Sequence, residues 1–181
     1  MVKVQTAGLA VLMVGLLPLC PVASLALSAD FNVAIQPVTF DELSKEVVKH
    51  RGKVVVVDCW FVGCVPCYEC LKHLSQVQKK RAGDGMITLT VCINILDDPW
   101  PKYEKDANNI LKKLDIHARN RLLKLSYNEA EKKMQLPGSF PTVFVFNRQG
   151  KWRQFSGEQV GDPLDTWIMQ CLKEKNVPPK K

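Results

Sequence analysis

The stretch "VVVVDCWFVGCVPCYEC", Val54 to Cys70, decides how this chain is read, because four cysteines fall within twelve residues directly behind a run of valines. Val54 to Val57 is a continuous β-branched run, the pattern of a strand buried on both faces. From Pro66 to about Ala82, Cys70, Leu71, Leu74 and Val77 recur at spacings of three and four, which predicts an amphipathic helix ended by "GDG". A strand therefore leads straight into a helix, with Cys64 and Cys67 at the junction. Two cysteines at that spacing on a first helical turn can close a small disulfide with little movement. The first of them faces the positive end of the helix dipole, which favours its thiolate, the nucleophile of disulfide exchange. Pro66 in the first turn costs no helical hydrogen bond. The same spacing is also consistent with half of a zinc site.

The neighbouring residues bear on that choice. A zinc site needs two further ligands from Cys59, Cys70, Cys92, His50, His73 and His117, and none of these forms a second closely spaced pair. Cys70, one turn beyond Cys67, is either a small buried apolar residue or a second resolving thiol, since neighbours three apart on a helix approach each other. Cys59, Cys92 and Cys171 read as buried thiols. Asp58 stands where the strand should be buried. A buried carboxylate costs free energy unless it has a partner or a task, and desolvation should raise its pKa into a range suited to exchanging a proton with a thiol. The competing reading is a strand-end aspartate that reaches water.

Outward from this centre, strands and helices alternate. Asp30 to Val38 reads as extended and irregular, and Thr39 to Glu42 has capping-box spacing at the start of a helix that runs to about His50. Met86 to Ile95 is a second strand, "LDDPWP" a loop, and about Tyr103 to Leu114 a helix. Asp115 to Met134 predicts a short extended piece and then a helix from about Tyr127, broken by "LPGSFP". Thr142–Asn147 and Lys151–Phe155, joined by "RQG", form a hairpin pattern. Asp162 as cap and Pro163 at the first helical position open a last helix to about Lys175. The fold class is α/β, a central mixed sheet flanked by helices on both faces.

The 181 residues suffice for one domain with a proper core. Residues 1–28 carry one charge, Lys3, then an apolar run from Gly8 to Leu19 and the small-residue stretch "ASLALSA", the pattern of a cleavable export signal. The run is shorter than the ~20 residues of a membrane-spanning helix, so anchoring would follow only if the signal stayed uncleaved. Residues 29–38 read as an N-terminal extension, 39–175 as the domain and 176–181 as a disordered tail. The formal net charge of +7 is spread over helix-like spacings among acids, without a basic stripe interleaved with aromatics, which argues against nucleic-acid binding. Export permits disulfides among the remaining cysteines.

Two motifs carry a family resemblance. "VVVVDCWFVGCVPC" is similar to the buried strand, aspartate, tryptophan and CxxC of the thioredoxin superfamily, and "GSFPTVFVFNRQGKW" resembles its cis-proline segment and the hairpin after it. They are 77 positions apart, Cys64 to Pro141, in the family's order. With a leader and a long middle section, the chain resembles the TlpA-like exported branch most, and nucleoredoxin-type proteins next. The resemblance implies a thioredoxin-like fold over about Thr39 to Lys175 and thiol-disulfide oxidoreductase activity on protein dithiols or disulfides. Cys64 would attack, Cys67 would resolve and Asp58 would move the proton. Trp60 would pack beneath the site, and Pro66, Phe140, the cis-proline Pro141 and Thr142 would border the substrate.

An electron donor or oxidant would complete the cycle in the periplasm, or in a secretory lumen; no cofactor or metal is implied. Three departures stand out. Gly63 replaces the usual Trp before the first cysteine, Val65 replaces a Gly, and Lys72 stands where thioredoxins kink the helix with proline. The competing functions are a non-catalytic binding module with a structural disulfide, and a copper chaperone, against which the two-residue cysteine spacing counts.

Overall fold

The structure, a computed structural model, describes residues 33–175. The export signal and the tail expected at 176–181 lie outside the described residues. Six strands form one mixed sheet in the order β1-β4-β3-β2-β5-β6. They are β1 (Gln36–Val38), β2 (Val54–Trp60), β3 (Met86–Ile93), β4 (Arg119–Leu123), β5 (Thr142–Phe146) and β6 (Trp152–Ser156). The first four are parallel to their neighbours, while β5 runs antiparallel to β2 and β6 antiparallel to β5. The segment read as extended before Thr39 ends in β1, which closes the sheet's edge beside β4. Together with the helices on both faces this is a thioredoxin-like α/β fold.

The two-residue period of β2 explains why the valine run is central. Val55, Val57 and Cys59 pack in one core cluster with α1 (Phe40–Lys49) and α4 (Tyr127–Met134) through Leu43 and Ala130. Val54 and Val56 pack on the other face with α2 (Val65–Arg81) and α5 (Asp162–Lys173), and Trp60 joins α2 and α3 (Trp100–Lys113) there. All seven residues of β2 are buried, with β3 and β5 hydrogen-bonded on either side. The strand therefore reaches three residues past the valines. Asp58, even-numbered, belongs to the α2 face.

Strand ends differ from the sequence reading by one or two residues, β3 stopping at Ile93 rather than Ile95, and two helix starts differ for physical reasons. Helix α3 starts at Trp100, inside the expected loop, because Pro101 is accommodated in the first turn, where its missing N–H leaves no gap. Helix α5 is capped by the backbone of Gly161 rather than by the Asp162 side chain; Asp162 lies within the first turn beside Pro163, where its charge still complements the helix dipole. The capping box at Thr39 and Glu42 is present, with a second one at Ser126 and Glu129 that starts α4.

Candidate active site

The cysteine pair sits at the carboxyl end of β2, where the chain turns into α2. The turn is built by a backbone hydrogen bond from Cys64 N to Phe61 O (3.2 Å) and by Gly63, whose φ of +97° is the left-handed region that suits a residue without Cβ. Cys64 is the N-cap of α2, and its Sγ accepts the Cys67 amide at 3.3 Å. Cys64 and Cys67 are joined by a disulfide with an S–S distance of 1.99 Å and a Cα–Cα separation of 5.3 Å. Only Cys64 keeps any surface: it is 5% exposed and Cys67 0%.

Asp58 is 0% exposed, and neither carboxylate oxygen meets a hydrogen-bond donor within ordinary range. The group interacting with it most directly is the Cys70 thiol on α2. Burial pushes the Asp58 pKa up to about 8, and a weak interaction with the Cys70 thiol pulls it back down. That thiol is itself driven strongly upward by burial and by the Asp58 charge, so it is an S–H at neutral pH. Cys59 lies on the opposite face of the sheet, where burial also holds it protonated.

The other candidate residues gather around the pair. The Phe140–Pro141 peptide bond is cis, and Thr142 pairs with Cys59 in the β2–β5 ladder. The Thr142 hydroxyl donates to the carbonyl of Ser139, which ties the loop before the proline. Trp60, Pro141 and Thr142 are buried, Phe140 is half-buried, and Val65 and Pro66 are exposed. Trp60 packs in the same core cluster as Cys64 and Cys67 and Thr142 is enclosed at the start of β5, while Val65, Pro66 and Phe140 offer surface.

Two hollows flank this surface. One, of about 620 Å³, opens on Cys64 between Phe61, Gly63, Pro66, Tyr127 and Phe140, and no charged side chain lines it. Phe61 and Phe140 meet edge to face there, with ring centroids 5.1 Å apart. The other, of about 390 Å³, lies on the far side of Pro66 and Pro141, where Cys70 meets His73 and Asp165, themselves 2.8 Å apart. A third, apolar hollow between α1, α4 and Trp152 contains no cysteine, histidine or carboxylate.

Two side chains bonded to the turn before Cys64 escape a linear reading. Tyr68 lies four residues beyond Cys64, a helical spacing that could have flagged it; its hydroxyl accepts the Gly63 amide at 2.7 Å. Tyr103, from α3, accepts the Val62 amide at 3.0 Å and donates to Ile93 O at 2.6 Å. Nothing in the sequence links it to Val62 across 41 residues. Among the described residues no cluster of three or more His, Cys, Asp or Glu side chains could hold a metal ion.

Comparison with known proteins agrees with the fold. No protein-family model matches the chain. Among solved structures it resembles a thiol-disulfide isomerase from Corynebacterium glutamicum, with a TM-score of 0.59 and 19% identity over 72% of this chain and 86% of that one. A putative thiol:disulfide interchange protein DsbE from Chlorobium tepidum gives 0.54 and 21%, covering 70% and 84%. A secreted Mycobacterium tuberculosis disulfide oxidoreductase, described as homologous to E. coli DsbE, gives 0.52 and 13%, covering 68% and 84%. These neighbours are described as thiol-disulfide oxidoreductases, isomerases or interchange proteins, and at these identities the likeness establishes the thioredoxin-like fold.

Proposed function

We propose that this protein is an exported thiol-disulfide oxidoreductase that exchanges the Cys64–Cys67 pair with cysteines of protein substrates. The observation that carries the reading is the disulfide at the start of α2, whose first cysteine keeps a little surface and whose second keeps none, following a strand that carries a buried acid without an ionic partner. In the reductive direction, the Cys64 thiolate attacks a substrate disulfide, forming a mixed disulfide and releasing one substrate thiolate. Cys67 then attacks Cys64 Sγ, which forms the Cys64–Cys67 bond and releases the second substrate sulfur as a thiolate. Two electrons pass to the substrate, and Asp58 takes the proton that Cys67 loses. The oxidative direction reverses each step, with Asp58 returning the proton.

The helix N-terminus and the Cys67 amide stabilise a Cys64 thiolate, and Cys67, fully enclosed, reacts only within the molecule. An acid whose pKa is near 8 changes protonation with little cost at neutral pH, which suits it to this transfer. Val65, Pro66 and Phe140 border the substrate around Pro141, and the uncharged hollow beside Cys64 receives residues next to the substrate cysteine. The leader-like residues 1–28 support export, with the periplasm as compartment; among the described residues no helix is long and apolar enough to cross a membrane. A reductant or oxidant of the exported compartment regenerates the pair.

Trapping tests the reading. With Cys67→Ser, a substrate disulfide attacked by Cys64 should remain bound as a mixed disulfide, visible as a reductant-sensitive mass increase. If neither a protein nor a small model disulfide is captured, the oxidoreductase reading fails.

A further inference from the structure

The turn that presents Cys64 is short of backbone partners of its own. Of the amides from Val62 to Cys64, only that of Cys64 bonds within the turn, to Phe61 O; the two before it are taken by side chains from two different helices. Tyr103 reaches from α3, fully buried, and its hydroxyl is doubly committed, accepting from Val62 N and donating to Ile93 O at the end of β3. Tyr68, half-buried on α2, accepts from Gly63 N and packs edge-on against Trp60 at 6.4 Å. Two consecutive amides immediately ahead of the attacking cysteine are therefore anchored to tyrosine hydroxyls, one on each side of the turn.

We propose that Tyr68 and Tyr103 are positioning residues of the redox centre, whose hydroxyls hold the Phe61–Cys64 turn so that Cys64 Sγ stays at the amino end of α2. The proposal rests on Cys64 being the attacking thiol. The physical reason lies in the length of the lever. A helix terminus acts on a charge only within its first turn, and the Cys67 amide reaches Cys64 Sγ at 3.3 Å, so a small outward movement of the turn loses both contributions. Gly63, with a left-handed φ and open space where a Cβ would stand, cannot restrict the turn by its own side chain. In the disulfide form the S–S bond itself holds Cys64. Once it is reduced, the two hydroxyls remain as side-chain ties of the turn, with the Cys92 thiol also close to the Val62 amide that Tyr103 holds.

The groups that face Cys64 are few. Cys67 and Tyr68 lie on its own helix, Tyr103 on α3, Cys92 on β3 and Tyr127 across the hollow, and Asp58 on β2 is the acid that the proposed exchange couples to the pair; burial holds the Tyr103, Cys92 and Asp58 protons above their ordinary range, and Tyr68→Phe alters none of the three. A change in Cys64 titration on removing a hydroxyl is then a change in its position relative to α2.

The test is the pH profile of iodoacetamide alkylation of the reduced full chain, with the labelled residue identified by peptide mass, in the parent protein, Tyr68→Phe, Tyr103→Phe and the double variant. Each single variant is expected to move the Cys64 profile to higher pH, with alkylation below the pKa about threefold to fivefold slower, the size of a helix-terminus interaction. The double variant should shift further. An unchanged profile in Tyr68→Phe accompanied by a lower Tm would overturn the proposal, leaving the hydroxyl a merely structural tie. Should Tyr103→Phe fail to fold, Tyr68→Phe decides alone, because its ring stays half-exposed and its packing on Trp60 is kept. No disulfide substrate is involved, so failure of Cys67→Ser to trap a disulfide would sink the oxidoreductase reading without touching this result.

Discussion

Two acids lie under the two faces of the same sheet, and the structure treats them oppositely. On the α1 face, Glu46 is met by the Arg121 guanidinium through two bonds of 2.7 Å, with the Arg119 guanidinium at 3.7 Å. On the α2 face, Asp58 is completely enclosed and has no cation, only a thiol. A partnered buried carboxylate is an ordinary structural device whose removal strands its partner. An unpartnered one weakens the fold when it ionises, and nothing in the packing of β2 requires it, since valines fill the equivalent positions at 54 and 56. The difference separates a residue that serves the architecture from one whose place the packing does not explain, and to which the proposed function gives proton transfer.

That separation can be broken most directly by Asp58→Asn, which keeps the shape and removes the acid. The rate of disulfide exchange at neutral pH is expected to fall about 10²-fold or more, the usual contribution of a positioned acid or base, measured as turnover of a model disulfide. The mixed disulfide trapped by Cys67→Ser should still form, since Cys64 attack does not use the acid. Full activity in the asparagine variant would place Asp58 with Glu46 as a structural residue.

Stability against pH sharpens the same contrast. Asp58 has its folded pKa raised from the ordinary carboxylate value to about 8, so the folded chain holds a proton that the unfolded chain has released anywhere between roughly pH 4 and pH 8. Stability contributed at this site is therefore greatest at the acid end and is lost as pH rises through that window, by up to ~6 kcal/mol. In Asp58→Asn that slope should disappear from urea midpoints measured across the range. Glu46→Gln should act the other way round. It strands a largely buried guanidinium, so stability should drop by about 2–4 kcal/mol while the exchange rate per folded molecule stays as in the parent. A loss of exchange rate in Glu46→Gln would mean the two faces are coupled.

Much of this was open to a linear reading, for identifiable reasons. The valine run, the helix spacing after Cys64 and the hairpin after Pro141 are local patterns, and the observed β2, α2, β5 and β6 follow them. Asp58 could be singled out because a charge inside an apolar run is anomalous by itself. What could not be read is contact between elements. Tyr103 meets Val62 only because α3 folds back over the end of β3, and Arg121 meets Glu46 across 75 residues. The start of α3 at Trp100 was hidden by two prolines that usually mark a loop, although a proline in a first turn is compatible with a helix. Cys70 stayed ambiguous because its spacing from Cys67 says that the two are near, whereas its role depends on Asp58, which lies on another element.

The smallest expected effect falls on Cys70. Its thiol is the group that lowers the Asp58 pKa against the rise caused by burial, so removing it should let that pKa climb further. Cys70→Ala is predicted to move the upper limb of the exchange-rate profile to higher pH, by a fraction of one pH unit, because a thiol is a weak donor. Cys70→Ser supplies a hydroxyl, a better donor of similar size, and should bring the profile back to the parent position or below it. A merely packing role for Cys70 predicts the reverse ordering: alanine would lower Tm without moving the profile, and serine would be the worse substitution in a buried site that favours sulfur over oxygen. The serine variant therefore discriminates, since the two roles assign it opposite signs. If its profile coincides with that of alanine, Asp58 keeps its proton through burial alone.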